Sequence, residues 1–437
     1  MTIYDLPPWL ASFFVFLFGA IFGSFLNVCV HRLPMQSGLW ASLKGLTHPP
    51  SRCPRCMTPI EKGDNLPIVG WLRLGGRCRA CRTKIPVRYP GVELFNGLLL
   101  VAVYWMDVPS ARFAHLYDAP LISPFGPTSL ESWFSDEVLV HLRFAFHALL
   151  CEILLVASLI DYDLQVIPKT VTDPAIPLGI AGMAIGGMYL LPITVDVPPY
   201  VGDMQSLYER RGSSFDVVPP WIVEHPHIHG LLCGIAGALA GALPVLGVRW
   251  IGGAALKQEA VGLGDVFLMA AAGAFLGWQP VLVALVLSLV FALVTVAVTS
   301  LLGALKVTSG TLIPYGPFLS AGCVATLFGW PWIWPRTIRL FDEMVRSWPI
   351  TVALIAAFAV ALGLSLLLVQ LVKRLFGIAP MAPPPEGVWT AADQNQYLAG
   401  ERPGPQTGLW KHAGWPGDAA GRGQSQQRTW QGERGPL

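Results

Sequence analysis

Apolar residues in this chain fall into long, nearly uncharged runs, not at the spacing of an amphipathic helix or strand. A run of about 20 such residues spans the hydrocarbon of a bilayer, where a helix satisfies its own backbone polar groups. Runs of this kind cover residues 9–30, 89–104, 141–160, 170–193, 228–248, 312–334 and 349–372. Another, 266–302, is too long for one crossing and is interrupted by Gly277-Trp278-Gln279-Pro280, which predicts two short helices. The pattern predicts an all-α polytopic membrane protein with about eight to nine transmembrane helices. The first run does not read as a secretory signal, because Asp5 and no Lys or Arg precede it.

Composition agrees with this reading. The 437 residues are 53% hydrophobic and 13% charged, where a soluble domain carries about 25% charged residues. The net charge of +2 gives no reason to expect a nucleic-acid partner. Its distribution is more informative. Eleven Lys and Arg lie between His31 and Arg88, opposed by Glu61 and Asp64, whereas the connection 107–140 is acidic. Basic flanks stay in the cytoplasm, so segment 31–88 is expected there and the N-terminus outside. Counting crossings then puts the connections near Asp161, Asp265 and Lys306 on the cytoplasmic face. The expected organisation is a first transmembrane helix at 9–30 and a cytoplasmic module at 31–88. A membrane core at 89–334, an extra helix at 349–372 and a disordered cytoplasmic tail at 378–437 follow, the tail being rich in Pro, Gly and Gln without apolar period.

The cytoplasmic module carries Cys53-Pro54-Arg55-Cys56 and Cys78-Arg79-Ala80-Cys81, two CxxC pairs 21 residues apart. Each lies in a polar, Gly- and Pro-rich stretch suited to a turn that aims both sulfurs at one ion. Four thiolates around tetrahedral Zn²⁺ leave no open position, so the site is expected to be structural. A segment this short buries little core, and metal binding would supply its folding energy. Two disulfides are the alternative, which a reducing cytoplasm disfavours. The module's remaining positive charge favours anionic headgroups. Cys29, Cys151, Cys233 and Cys323 sit in apolar runs and read as small buried hydrophobes.

Carboxylates at membrane depth are rare because ionising them in hydrocarbon is costly. Asp161 ends the third run and Asp265 begins the sixth, within Gly262-Leu263-Gly264-Asp265. By the crossing count both lie at one depth on different helices. Two close carboxyls share a proton, so that one can activate water while the other polarises a carbonyl. The roles belong to the pair. Gly262 and Gly264 would let a substrate backbone approach and permit an irregular helix start. The plainer reading of Asp265 is a helix cap. Asp163 competes with Asp161 but points about 200° away on a helix; it is expected to be solvated.

Taken together, these residues resemble the type IV prepilin peptidase family, whose members are membrane aspartic proteases of the GxGD type. The resemblance is carried by Gly23-Ser24-Phe25-Leu26-Asn27-Val28 with His31-Arg32-Leu33-Pro34, the two CxxC pairs, and Arg88-Tyr89-Pro90-Gly91-Val92-Glu93-Leu94. It continues through Ile160-Asp161 with Ile167-Pro168, Gly262-Leu263-Gly264-Asp265, and Ile313-Pro314-Tyr315-Gly316-Pro317-Phe318. The resemblance implies an enzyme of the bacterial inner membrane, with the zinc module and active site facing the cytoplasm. It would cleave the basic leader from type IV prepilins or type II secretion pseudopilins, whose hydrophobic helix lies in the bilayer. It implies Asp161 and Asp265 as the catalytic pair. It also implies methylation of the new N-terminus with S-adenosylmethionine, for which Asn27 and Glu93 are candidates by motif position and polar helix-packing residues otherwise.

Some positions depart from the family pattern: Phe267 stands where a Lys is usual, and Lys169 where Asp or Asn is common. The connections 107–140 and 194–227, the last helix and the tail are additions. His225, His227 and His229 could bind a metal, although an exposed polar loop is the simpler reading. A presenilin-like intramembrane protease would use Asp163 with Asp265 and leave the cysteines unexplained. A non-enzymatic assembly factor of pilus or secretion machinery would use the aspartates only for packing and capping.

Overall fold

The computed structural model describes residues 7–35, 39–47, 51–53, 56, 58–61, 63–108, 136–186, 225–256, 261–303 and 314–375. Among these the elements are helical, apart from two isolated bridges in the cysteine-bearing segment. They run α1 Pro8–Arg32, a 3₁₀ turn Leu33–Met35, α2 Leu39–Thr47, α3 Val69–Arg73, α4 Arg88–Asp107 and α5 Asp136–Leu164. The order continues with α6 Lys169–Gly186, α7 Pro226–Leu256, α8 Leu263–Leu276, α9 Trp278–Gly303, α10 Gly316–Arg346 and α11 Trp348–Leu375. Four of them, α1, α5, α7 and α9, contain stretches long and apolar enough to cross a bilayer. The chain is a multi-pass membrane protein.

The long apolar run 266–302 is two helices, α8 and α9, parted at Gly277. Its φ of +85° lies in the left-handed region that glycine enters without a Cβ penalty. Pro280 then falls in the first turn of α9, where its missing N–H breaks no helical hydrogen bond. Helix α10 continues to Arg346, beyond the expected end of its run. It stays ordered because Trp330 and Phe341 remain buried along it, with Phe341 packing edge-on against Trp278.

Helix α8 is the centre of the bundle, with Leu268, Met269, Ala272, Ala274, Phe275 and Leu276 all fully or nearly fully enclosed. The stacked Phe146 and Phe275 rings, 4.6 Å apart, tie it to α5. Helix α7 crosses it at backbone contact. A Cβ on Gly237 would lie 2.0 Å from the Gly273 carbonyl oxygen, and one on Gly273 would lie 2.0 Å from that of Gly237. With no hydrophobic drive between helices in lipid, such close approach supplies the packing. Gly237→Leu is therefore expected to destabilise the protein by about 3 kcal/mol through overpacking, seen as a lower unfolding temperature in detergent.

Helices α1 and α4 form a second tight pair, with Gly19 against Gly97 and Gly23 against the Glu93 backbone. The far side of α1 presents Phe14, Leu17, Phe18, Ile21 and Phe25 outward. At the opposite end of α4, Asp107 is buried with Arg143 and His147 of α5 at 3.2 Å and 2.8 Å. The acidic flank thus begins with a buried, paired carboxylate. His229 is also buried, its Nε2 lying 3.5 Å from Cys233 Sγ, and His227 Nδ1 meets the Ala184 carbonyl at 2.9 Å. These two positions open helix α7 and are not an exposed loop, because the helix starts at Pro226. Most of the two long outward connections, together with Lys306, Ile313 and the tail at 378–437, fall outside the described residues.

Candidate active site

Asp161 stands in the last turn of α5, which ends at Leu164 as the chain turns through Gln165. Asp265 stands in the first turn of α8, where the helix dipole favours a carboxylate. Both are buried. Each is held by a backbone amide: Gly316 N–H donates to Asp161 Oδ2 at 2.9 Å, and Gly262 N–H donates to Asp265 Oδ2 at 3.2 Å. Asp265 is thus not the N-cap residue, which is Gly262; it stands at the third helical position and accepts the N-cap amide. Capping engages one of its oxygens only in this bond.

The surrounding backbone is close because glycines make it so. A Cβ on Gly264 would lie 2.8 Å from that of Ile167, so the start of α8 rests against the turn that follows Asp161. A Cβ on Gly316 would lie 2.6 Å from Asp161 Oδ2. Tyr315 precedes it and lies within electrostatic reach of Asp265. The Tyr315 hydroxyl is 3.1 Å from Ser288 Oγ, which itself donates to the Leu285 carbonyl. Residues 315 and 316 belong to a quoted sequence motif, yet sequence reasoning gave them no role. The available signal was Pro-Tyr-Gly-Pro placed just ahead of an apolar run.

Asp163 is not solvated as the sequence suggested. It is buried and forms a 2.5 Å ion pair with Arg88, the first residue of α4. Burial follows from the partner, which sequence separation concealed. The two departures from the family pattern meet one another: the Lys169 ammonium stands 5.3 Å from the centre of the Phe267 ring. A cation over an aromatic face links α6 to α8 there.

Asn27 and Glu93 come together where α1 and α4 meet, but both bind other parts of the chain. Asn27 Nδ2 donates to the Tyr89 carbonyl at 3.2 Å, and Glu93 Oε2 accepts the Ile68 N–H at 2.6 Å. Ser24 adds a side-chain hydrogen bond to Glu93.

The four cysteines converge. One sulfur from each lies within 4.8 Å of all the others, and this is the one such group of metal-ligating side chains among the described residues. Their two hairpins repeat the same bonds. Cys53 N–H donates to Thr58 O and Ile60 N–H to Ser51 O; Cys78 N–H donates to Thr83 O and Ile85 N–H to Gly76 O. Cys53 and Cys81 sulfurs are 3.8 Å apart, and those of Cys56 and Cys78 are 3.9 Å apart. Four sulfurs each about 2.3 Å from a tetrahedral zinc lie about 3.8 Å from one another, so the set fits that ion. The Thr58 hydroxyl and backbone beside Cys56 draw its thiol down to about 6, favouring the thiolate that a metal needs. Nearby, Arg79 pairs with Asp64 and holds that carboxyl below its usual range.

The comparisons accord with this geometry. Residues 17–106 match the bacterial peptidase A24 N-terminal domain, and 226–297 match the type IV leader peptidase family. The second match includes Asp265 but begins after Asp161. The chain is 31% identical to the prepilin leader peptidase/N-methyltransferase of Aeromonas hydrophila over 74% of its length and 92% of that protein. It is 32% identical to the protein of the same description from Pseudomonas aeruginosa, over 72% of this chain and 89% of that one. A type 4 prepilin-like proteins leader peptide-processing enzyme of Escherichia coli is 28% identical over 71% and 91% respectively. No solved structure matches significantly. Extensive similarity to full-length relatives, together with both domain matches, shows that this chain belongs to the type IV leader peptidase family.

Proposed function

We propose that the chain is an aspartic endopeptidase that removes the basic leader from prepilin or pseudopilin substrates, using Asp161 and Asp265 as a pair. The observation that supports this is a pair of buried carboxyls from helices far apart in sequence, each held by a backbone amide, on segments that touch where Gly264 meets Ile167. With one proton between them, the ionised member takes a proton from water, whose oxygen attacks the scissile carbonyl. The protonated member donates to the carbonyl oxygen, and the proton taken from water passes to the departing amine as the C–N bond breaks. The tight backbone at Gly262, Gly264 and Gly316 leaves little bulk around the pair.

The metal module would be structural, with Cys53, Cys56, Cys78 and Cys81 holding one zinc. Bound there, the ion supplies cross-linking and no catalytic position. Purified protein is expected to contain one zinc per chain by elemental analysis, and Cys78→Ser to lose it along with the ordered module. The module and the aspartate pair stand at one end of the bundle, since Arg88 joins the module's end to Asp163. The basic flanks support assigning that end to the cytoplasm and the membrane to the bacterial inner membrane.

Methylation of the new N-terminus is proposed from the relatives' description alone, with Asn27 and Glu93 as family-position candidates. The test of both activities is incubation of the purified protein with a prepilin-like substrate, with and without S-adenosylmethionine, followed by mass spectrometry. Loss of the leader mass supports the peptidase, and an added methyl supports the transferase. A folded protein that removes no leader from several basic-leader substrates would favour the assembly-factor reading.

A further inference from the structure

The short helix α3 of the cysteine-bearing module is tied to the side of α4. Its entry is fixed by Glu93, whose carboxylate accepts the Ile68 N–H. Glu93 is five residues into α4, about 7.5 Å along the helix from Arg88. The Glu93 backbone also touches Gly23, nine residues before the end of α1, about 13.5 Å by the same measure. The amide at position 68 therefore reaches well inside the level at which α1 ends and α4 begins. Ile68 adopts a φ of +59°, a conformation that a β-branched residue holds only when its surroundings impose it.

The surface presented at that depth is apolar. Leu66, Val69, Leu72 and Val87 are all more than half exposed. It is continuous along α4 with Leu94, Phe95 and Leu98, which are also exposed. The charged contacts of the module are the Arg79 pairs with Asp64 and Glu61, formed at the chain that leads into α3. Helix α2 is tied to the end of α1, because Arg32 donates to the Gly45 and Leu46 carbonyls. It presents Trp40, 83% exposed, and Leu43 on one face. Trp at a helix of this kind marks the headgroup level.

We infer that the cysteine module is seated in the bilayer surface, with segment 66–72 dipping into the lipid interface and Trp40 anchoring a second point. Its occupant is lipid, since the exposed face continues the outward face of α4 and an apolar helix face buries about 5–10 Å into this layer. The net positive charge of segment 31–88, with Lys and Arg well in excess of Glu61 and Asp64, suits anionic headgroups beside it.

The test uses the full chain in nanodiscs of mixed neutral and anionic phospholipid, with a photo-cross-linking amino acid in place of Val69, Leu72 or Trp40. The same probe at Leu98 and at Glu61 gives lipid-facing and solvent-facing references. Lipid adducts at positions 69, 72 and 40 are expected within about twofold of the yield at 98 and about tenfold above that at 61. Retained zinc in each variant shows that the module is intact. The inference is overturned if zinc-bearing variants at 69 and 72 match position 61. Preferential cross-linking to a second copy or to added prepilin would overturn it equally.

Discussion

Asp161→Asn and Asp265→Asn are each expected to reduce leader cleavage by about 10²–10⁴-fold, the range attached to a positioned acid or base, while leaving the fold intact. The fold is expected to survive because an asparagine oxygen can still accept the Gly316 or Gly262 amide that each aspartate holds now. What is lost is the ability to take or give a proton. Asp163→Asn is the control. Its side chain is occupied by Arg88, off the site, so cleavage should persist with a stability loss of about 1 kcal/mol, because Arg88 still reaches water. Following leader mass against time for the three variants separates the readings. Loss of cleavage in Asp163→Asn but not in Asp161→Asn would select the presenilin-like pairing. Full activity in both Asp161→Asn and Asp265→Asn would falsify the aspartate mechanism.

The second large effect is expected from a single methyl group. Gly316→Ala places a Cβ 2.6 Å from Asp161 Oδ2, with the carboxyl carbon itself only 3.0 Å away. The carboxylate cannot remain where the Gly316 amide now holds it, and it is the shorter of the two amide contacts that fix the pair. Displacing a reacting group by about 1 Å can lower rate by about 100-fold, and a loss of that size in kcat is expected. Gly247→Ala is the matching control, since nothing lies within 4 Å of a Cβ there. Equal cleavage by Gly316→Ala and wild type would show that the contact does not position Asp161. If Gly316→Ala instead fails to fold, its unfolding temperature in detergent will fall alongside activity, whereas a displaced carboxylate leaves that temperature nearly unchanged.

Helical class was legible because long uncharged runs have few ways to satisfy their backbone in lipid. The interruption at Gly277 was legible for a local reason as well: glycine, then proline two positions into the next helix, punctuates the chain wherever it lies. The convergence of the four cysteines was likewise written in two short spacings, since each CxxC turn is local and only their pairing is tertiary. In contrast, Asp163 misled because its partner, Arg88, is distant in sequence and belongs to a different helix. His229 misled for a related reason, as the helix that buries it begins only a few residues earlier, at Pro226.

The same division holds in the candidate site. Spacing and depth singled out Asp161 and Asp265, because an ionisable group near an apolar run needs an explanation. Gly316 and Tyr315 had no such signal: an amide proton and a tyrosine hydroxyl acquire meaning only from what stands opposite them. Glu93 read as a candidate for chemistry, yet the fold uses its carboxylate to hold Ile68. The sequence by itself determined the membrane class, the helix runs, the four-cysteine set and the two carboxyls at the ends of apolar runs, all properties of local composition and spacing. Tertiary structure alone decided which amides hold those two carboxyls, that Asp163 pairs with Arg88 and that Glu93 holds Ile68, because these depend on contacts between segments whose separation along the chain carries no information about their distance in space.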